Sequence, residues 1–293
     1  MKRVIVTGGS GFLGRRVLRH LAGQTHAVGT FHSGRASDVC ALHLDVTDAA
    51  RVTAAFAAER FDVCVHTAAN CDLESCESDR ASAIALNVEG TRNVVEACRS
   101  AGTRVVYIST DHVFDGTRAG PYLEADAPRP LQTYGATKLA GEKLVEGLDG
   151  SLVVRMPLLY GLSEAGDKAT FVTKVIQSLR QRREFFADDQ AVRYPIDVGE
   201  AAAFVAALVV SEVKGVLHFG SDEGVTKLEW ARRIASELGL DPLLVVARPE
   251  AGRATRPRNN RLGSSRLFAL GFPPPRPVAA VIAKLGGTWT AAQ

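Results

Sequence analysis

The sequence predicts an α/β protein: a doubly wound parallel sheet of about seven strands, with a smaller C-terminal α/β portion. Three observations predict it. Short β-branched runs alternate with helical stretches, the pattern of strands that pair in parallel. A glycine-rich turn joins the first strand to the first helix. Polar residues suited to chemistry follow the strand ends, where open α/β sheets bind their ligands.

At 293 residues the chain allows one large domain or two unequal ones. Hydrophobic residues at 46% and charged residues at 23% suit a soluble globular protein with a substantial core. A formal charge of +3 is too small to argue for nucleic acid. The five cysteines, at 40, 64, 71, 76 and 98, are odd in number and form no Cys-x-x-Cys pair, which points to a reduced, cytoplasmic setting. Cys40 and Cys64 lie in apolar strand-like runs and read as small core residues. Cys71 and Cys76, near His66, have the spacing of no common metal site, so no metal is expected. The N-terminus, Met1 to Val6, runs at once into glycines and reads as a strand, not a signal peptide. The longest apolar run, Ala201 to Val210, is too short to span a bilayer, so no membrane is expected.

Arg3 to Val6 is the first strand. Thr7-Gly8-Gly9-Ser10-Gly11-Phe12-Leu13-Gly14 follows, then a helix through Val17, Leu18 and Leu21. Gly8 and Gly9 permit the tight turn, Gly11 the approach of a pyrophosphate, and Gly14 the close packing of helix on strand. With Phe12 and Leu13 they make a Rossmann-type dinucleotide turn, its helix N-terminus facing phosphates. The other reading is a purely structural turn. The second strand, Ala27 to Phe31, leads to His32-Ser33-Gly34-Arg35. No carboxylate stands there to select NAD, and Ser33 and Arg35 can bind a 2′-phosphate, so NADP(H) is favoured; Arg15 and Arg16 can assist. A third strand, Leu42 to Val46, puts Asp45 and Val46 at the adenine edge. A fourth, Asp62 to His66, ends in Thr67-Ala68-Ala69-Asn70, where Ala68 and Ala69 are small enough for a flat cofactor. Ala83 to Gly102 reads as a helix containing Asn87, a further candidate at the cofactor.

The fifth strand, Arg104 to Ile108, runs into Ser109-Thr110-Asp111-His112-Val113-Phe114-Asp115-Gly116. A Thr110 hydroxyl there can hold a carbonyl oxygen as it gains charge; the plainer alternative is a turn or helix cap. Downstream, a helix expected over Thr137 to Leu148 carries Lys138, four residues after Tyr134. Positions four apart share a helix face. An ammonium near a phenol favours the phenolate and lowers the phenol's pKa, which suits proton transfer at neutral pH. Glu142, Lys143 and Glu146 read as that helix's polar side.

Taken together, the glycine turn, the Ser-Thr-Asp-x-Val-Phe-Asp-Gly segment and the Tyr-Gly-x-Thr-Lys-Leu-x-Gly-Glu segment resemble the extended short-chain dehydrogenase/reductase superfamily. Within it they are similar to the dTDP-4-dehydrorhamnose reductase branch. The similarity continues at Arg155 to Gly161, at Asp188-Asp189-Gln190 and at Arg256-Pro257-Arg258-Asn259-Asn260-Arg261-Leu262. It implies Thr110, Tyr134 and Lys138 as the catalytic set. Tyr134 would protonate a keto oxygen, NADPH would deliver hydride, and Lys138 would hold the nicotinamide ribose and tune Tyr134. On the substrate side it implies Asp111, His112, Leu158, Gln190, Arg258 and Arg261. His112 and Leu158 depart from the Tyr and Trp of that branch. The Arg-Met-Pro-Leu-Leu-Tyr-Gly and Arg-Pro-Arg-Asn runs are also similar to the regulatory β subunit of methionine adenosyltransferase, which binds NADP.

Leu152 to Arg155 and Val216 to Phe219 read as the sixth and seventh strands. Helices are expected over Thr170 to Arg183, Asp197 to Val210, Lys227 to Leu238 and Val278 to Leu285. Residues 1–160, rejoined by 196–220, then form the NADP-binding portion, and 161–293 mainly the substrate-binding portion. Arginines gather at 248, 253, 256, 258, 261 and 266. No aromatic residue interleaves them, which argues against nucleic acid. They read as a clamp for a diphosphate, hence for a nucleotide sugar, against the alternative of a solvated loop. The expected function is NADPH-dependent reduction of a keto group on a nucleotide-activated sugar. The alternatives are an NADP-binding regulatory subunit with little turnover and a reductase of a non-sugar carbonyl. A homodimer is compatible with the sequence, which carries no feature that sets the oligomeric state.

Overall fold

A computed structural model describes residues 1–33, 40–164, 167–250, 252–280 and 282. The expectation for Arg35, the side chain of Cys40 and the end of the last expected helix lie outside the described residues. The elements run β1 (Arg3–Thr7), α1 (Gly14–Leu21), β2 (His26–Phe31), β3 (Cys40–His43), α2 (Ala49–Ala58), β4 (Val63–His66), α3 (Leu73–Ser78), α4 (Arg80–Ile84), α5 (Gly90–Ala101), β5 (Arg104–Thr110), α6 (Thr133–Glu146), β6 (Leu152–Met156) and β7 (Leu159–Tyr160). After them come α7 (Phe171–Arg180), β8 (Phe185–Ala187), β9 (Val192–Arg193), β10 (Ile196–Asp197), α8 (Val198–Val210), β11 (Gly215–His218), β12 (Val225–Thr226), α9 (Lys227–Glu237), β13 (Val245–Ala247) and α10 (Ser265–Ala269).

Seven strands form one sheet in the order β11-β6-β5-β4-β1-β2-β3, every neighbouring pair parallel. The chain leaves β1 toward β2 and β3, then returns to the other side of β1 at β4. A crevice therefore opens at the carboxyl ends of β1 and β4. Successive side chains on a strand face opposite sides, and the core divides accordingly. Val4 and Val6, Val63 and Val65, and Leu152 and Val154 pack under α1 and α8. Ile5, Cys64, Val105, Tyr107 and Val153 pack under α2, α5 and α6. A third apolar cluster joins α7, α9, β8 and β13 around Trp230 and Ile176. Its helix α9 begins with a capping box between Thr226 and Glu229.

The fifth strand runs on through Thr110, two residues past its expected end, and α7 stops at Arg180, three residues short of its expected end; three other elements also differ. The third strand ends at His43, before Asp45. The long helix expected over 83–102 is two α-helices joined by a π-helical turn, Ala85–Glu89. The reason is Asn87: its amide takes Asn70 as partner at both ends, accepting from the backbone nitrogen at 2.7 Å and donating to the backbone oxygen at 2.9 Å. Helix α6 starts four residues earlier than expected, at Thr133, because the Gln132 side chain caps it by accepting from the Gly135 nitrogen at 2.8 Å. Tyr134 thus lies in the first turn of α6.

Candidate active site

A cleft of about 380 Å³ opens at the carboxyl ends of β1, β4 and β5. Gly8, Gly11, Phe12, Leu13 and Gly14 line one side of it. Thr110, Asp111 and His112, from the end of β5, line another, and Tyr134 and Lys138 reach in from α6. Ala69 and Leu158 border the same space. The chain therefore brings the expected catalytic trio and the glycine turn to one cleft.

Local backbone chemistry explains the shape. Gly8 has a φ of +68°, and a Cβ on Gly14 would stand 2.3 Å from the Gly8 oxygen, so the turn closes only with glycine there. On the opposite wall a Cβ on Gly135 would lie 2.1 Å from the His112 oxygen. Glycine at 135 lets α6 lie directly against the segment after β5, with the Tyr134 and His112 rings 6.1 Å apart. The Gln132 amide donates to His112 Nδ1 at 2.7 Å, which leaves the proton of the neutral ring on Nε2.

The electrostatics correct one expectation. The Tyr134 pKa does not fall overall; burial dominates and pushes the phenol well up, only partly opposed by the Thr110 hydroxyl. Tyr134 is held as a protonated donor. The cost of burial falls on Lys138 as well, whose pKa it pushes down to about 7, with Glu142 opposing. Thr110 also caps the short turn that follows, accepting from the His112 nitrogen at 3.1 Å and donating to Asp111 at 3.0 Å. Burial pushes the Asp111 carboxyl up, against the pull of His112 and Arg193.

Other expected site residues are not part of the lining of this cleft. Asn87 is buried behind the cleft, its amide spent on Asn70 and on Thr137 at 3.0 Å. Val46 is a core residue facing Gly90. Asp45 accepts from the Thr47 nitrogen at 2.9 Å and meets His32 at 3.3 Å. Ser33 is exposed beyond β2, and Ala68 sits against Gly8 through its backbone. Arg15 and Arg16 are tied to Asp167, at 3.2 and 3.4 Å, rather than presented to a phosphate.

The expected arginine clamp is largely spent on partners within the protein. Arg256 bonds Glu74 at 2.9 Å and Glu250 at 3.3 Å. Arg261 bonds Asp222 at 2.7 Å, Arg248 lies over the Phe186 ring at 3.9 Å, and Arg266 donates to the backbone carbonyls of Lys214 and Val216. Arg258 and Gln190 are outside the cleft lining, Gln190 donating to Asp189 at 2.8 Å. A buried cation that the sequence pattern does not single out acts on two residues of the cleft lining. Arg193 is only 6% exposed, donates to the Pro257 oxygen at 2.7 Å, and acts on both Asp111 and His112. A charged residue inside a short strand-like run was its one sequence signal.

Among the described residues no group of three or more His, Cys, Asp or Glu side chains could hold a metal. None of the described helices is long and apolar enough to cross a membrane.

Comparison with known proteins matches residues 1–285 to a family described as the RmlD substrate binding domain. The dTDP-4-dehydrorhamnose reductase of Streptomyces griseus is 36% identical over 288 residues, covering 94% of this chain and 90% of its own. Methionine adenosyltransferase 2 subunit beta of Bos taurus is 33% identical over 281 residues, covering 92% of this chain and 83% of its own. Among solved structures, the dTDP-4-dehydrorhamnose reductase of Bacillus anthracis in complex with NADP superposes with a TM-score of 0.88 at 26% identity, covering 100% of both chains.

Proposed function

The chain belongs to the RmlD substrate binding domain family, and on that footing we propose that it is an NADPH-dependent reductase of a keto group on a nucleotide-activated sugar, foremost a dTDP-4-keto-6-deoxyhexose. One observation carries the reading: Thr110, Tyr134 and Lys138, from β5 and α6, border the same cleft as the glycine turn. A dinucleotide suits that cradle, since side chains at Gly8 and Gly14 would obstruct the turn's own backbone. The glycine turn would hold the pyrophosphate at the start of α1, Ser33 and Arg35 the 2′-phosphate, and Lys138 the nicotinamide ribose. Bound there, NADPH supplies the hydride.

The residues of the chain supply the rest. Tyr134, kept protonated by burial, gives its phenolic proton to the keto oxygen as that oxygen gains charge, and recovers one from solvent. Thr110 steadies the same oxygen by hydrogen bonding. The Lys138 ammonium stabilises the phenolate left on Tyr134. Asp111, His112 and Leu158 would face the sugar, and Arg193 would supply positive charge toward its phosphates. Residues 1–160 with 196–220 would serve the cofactor and 161–293 mainly the substrate.

A second reading, a regulatory subunit with little turnover, draws on the similarity to the methionine adenosyltransferase subunit and on Leu158 and His112 in the cleft. Initial rates with NADPH and NADH against a panel of keto sugar nucleotides separate the two. The reductase reading expects NADPH consumed in step with reduced sugar. NADPH binding without reduction of any sugar nucleotide supports the regulatory reading instead.

A further inference from the structure

Glu142 is fully buried, although its place in the sequence suggests the solvent side of α6. Tyr134, Lys138 and Glu142 follow one another at intervals of four, so they form one stripe along the helix. Both carboxylate oxygens are held. From β6, Arg155 brings Nε to 3.0 Å from Oε1 and Nη2 to 2.7 Å from Oε2. Ser109, the residue before Thr110 on β5, donates its hydroxyl to Oε1. Behind Arg155 lies His218, 3.3 Å away, which burial and the neighbouring guanidinium keep neutral by pushing its pKa down to about 3.

An ion pair this dry adds little net stability, because desolvating two charges costs about what their attraction returns. Apolar residues could hold the helix to the sheet as well, so the pair calls for a role in the site. Resting on the reductase reading above, we propose that Glu142 is a positioning residue for the Tyr134/Lys138 pair: its carboxylate pins α6 to the strand bearing Thr110 and supplies the counter-charge to the Lys138 ammonium.

Lys138 is faced by Tyr107 and His66 from the sheet, by Tyr134 and Glu142 from its own helix, and by Cys71 from the loop after β4. His66 is neutral, pushed down to about 3 by burial and by Lys138 itself. The Cys71 thiol and both phenols are protonated near neutral pH. Among the described groups that act on Lys138, Glu142 is therefore the anion, and it works against burial to keep the lysine charged. Without it the lysine loses its proton at lower pH.

The test follows NADPH affinity by fluorescence from mildly acid to mildly alkaline pH, with kcat on an accepted keto sugar nucleotide measured alongside, for the full-length wild type, E142Q, E142D and S109A. In the wild type affinity falls as rising pH strips the lysine of its proton. E142Q moves that fall to lower pH and reduces kcat by about 10²-fold, the usual consequence of slight misplacement. E142D keeps the charge on a shorter arm, so the fall returns toward its wild-type position while kcat stays low. S109A keeps the ion pair and the pH position but lowers kcat several-fold. Should E142Q fail to fold around an unpaired Arg155, E142L/R155M removes the ion pair as a whole and carries the expectation for kcat alone; should neither fold, S109A decides. A folded E142Q with an unmoved pH limb overturns the proposal, as does a folded E142L/R155M or S109A with wild-type kcat. A wild type that binds NADPH yet reduces no keto substrate removes the reductase reading but leaves the affinity comparison standing.

Discussion

The Nζ atom of Lys138 stands 3.9 Å from the centre of the Tyr107 ring. Lys138 is 2% exposed, so this π face takes the place of water around the ammonium. The exchange is incomplete, since burial leaves the lysine with a pKa near 7 instead of its ordinary 10.5. Between those two values the unfolded chain holds a proton that the folded chain has given up. Stability therefore rises with pH across that window and is flat with respect to this group below it. Replacing Lys138 by Met removes that part of the slope and stabilises the protein at neutral pH. Urea denaturation at a series of pH values measures it; a variant with the wild-type slope contradicts the account.

Gly135 sets how close α6 comes to the end of β5. A methyl group there would meet the His112 backbone oxygen at 2.1 Å, and backbone yields less readily than a side-chain tip. Gly135→Ala is expected to cost about 1–3 kcal/mol, as overpacking does, and to reduce turnover by displacing Tyr134. Denaturation midpoints and kcat together check this. An unaltered midpoint with full activity would show that α6 has room to spare.

Arg193 and Arg261 are expected to behave oppositely. Arg193 is buried and acts on Asp111 and His112, which line the cleft, whereas Arg261 is engaged by Asp222. Losing a charge-assisted contact worth about 1.5–3 kcal/mol should raise the KM for a sugar nucleotide in Arg193→Gln by roughly 10–100-fold. NADPH affinity should stay unchanged in that variant, and Arg261→Ala should leave both constants alone. Steady-state kinetics with each substrate varied decides; a large KM effect in Arg261→Ala would return the clamp to the loop.

The parallel sheet was legible because each strand is a short β-branched run bounded by turn residues, which needs no distant contact to read. The cleft was legible for a similar reason, as Gly8 to Gly14, Thr110 and Tyr134 all follow strand ends or open helices. What escaped depends on partners far along the chain. The start of α6 is hidden from the pattern because its apolar periodicity begins at Leu139, while its first turn carries Tyr134 into the cleft. The π turn at Asn87 exists through bonds to Asn70, across 17 residues. Arg256 looked free to clamp a phosphate because its partner Glu74 is 182 residues away. Glu142 looked like a solvent residue because nothing local reveals Arg155 and Ser109.

The central claim is that the Tyr134 phenol delivers the proton in a reduction driven by NADPH. Its most direct test measures NADPH oxidation by the wild type and by Tyr134→Phe with the same keto sugar nucleotide, after fluorescence titration has shown that both bind NADPH. The expected result is equal cofactor binding and a kcat lower by roughly 10²–10⁴-fold in the variant, the usual worth of a positioned acid. Full turnover by Tyr134→Phe would contradict it.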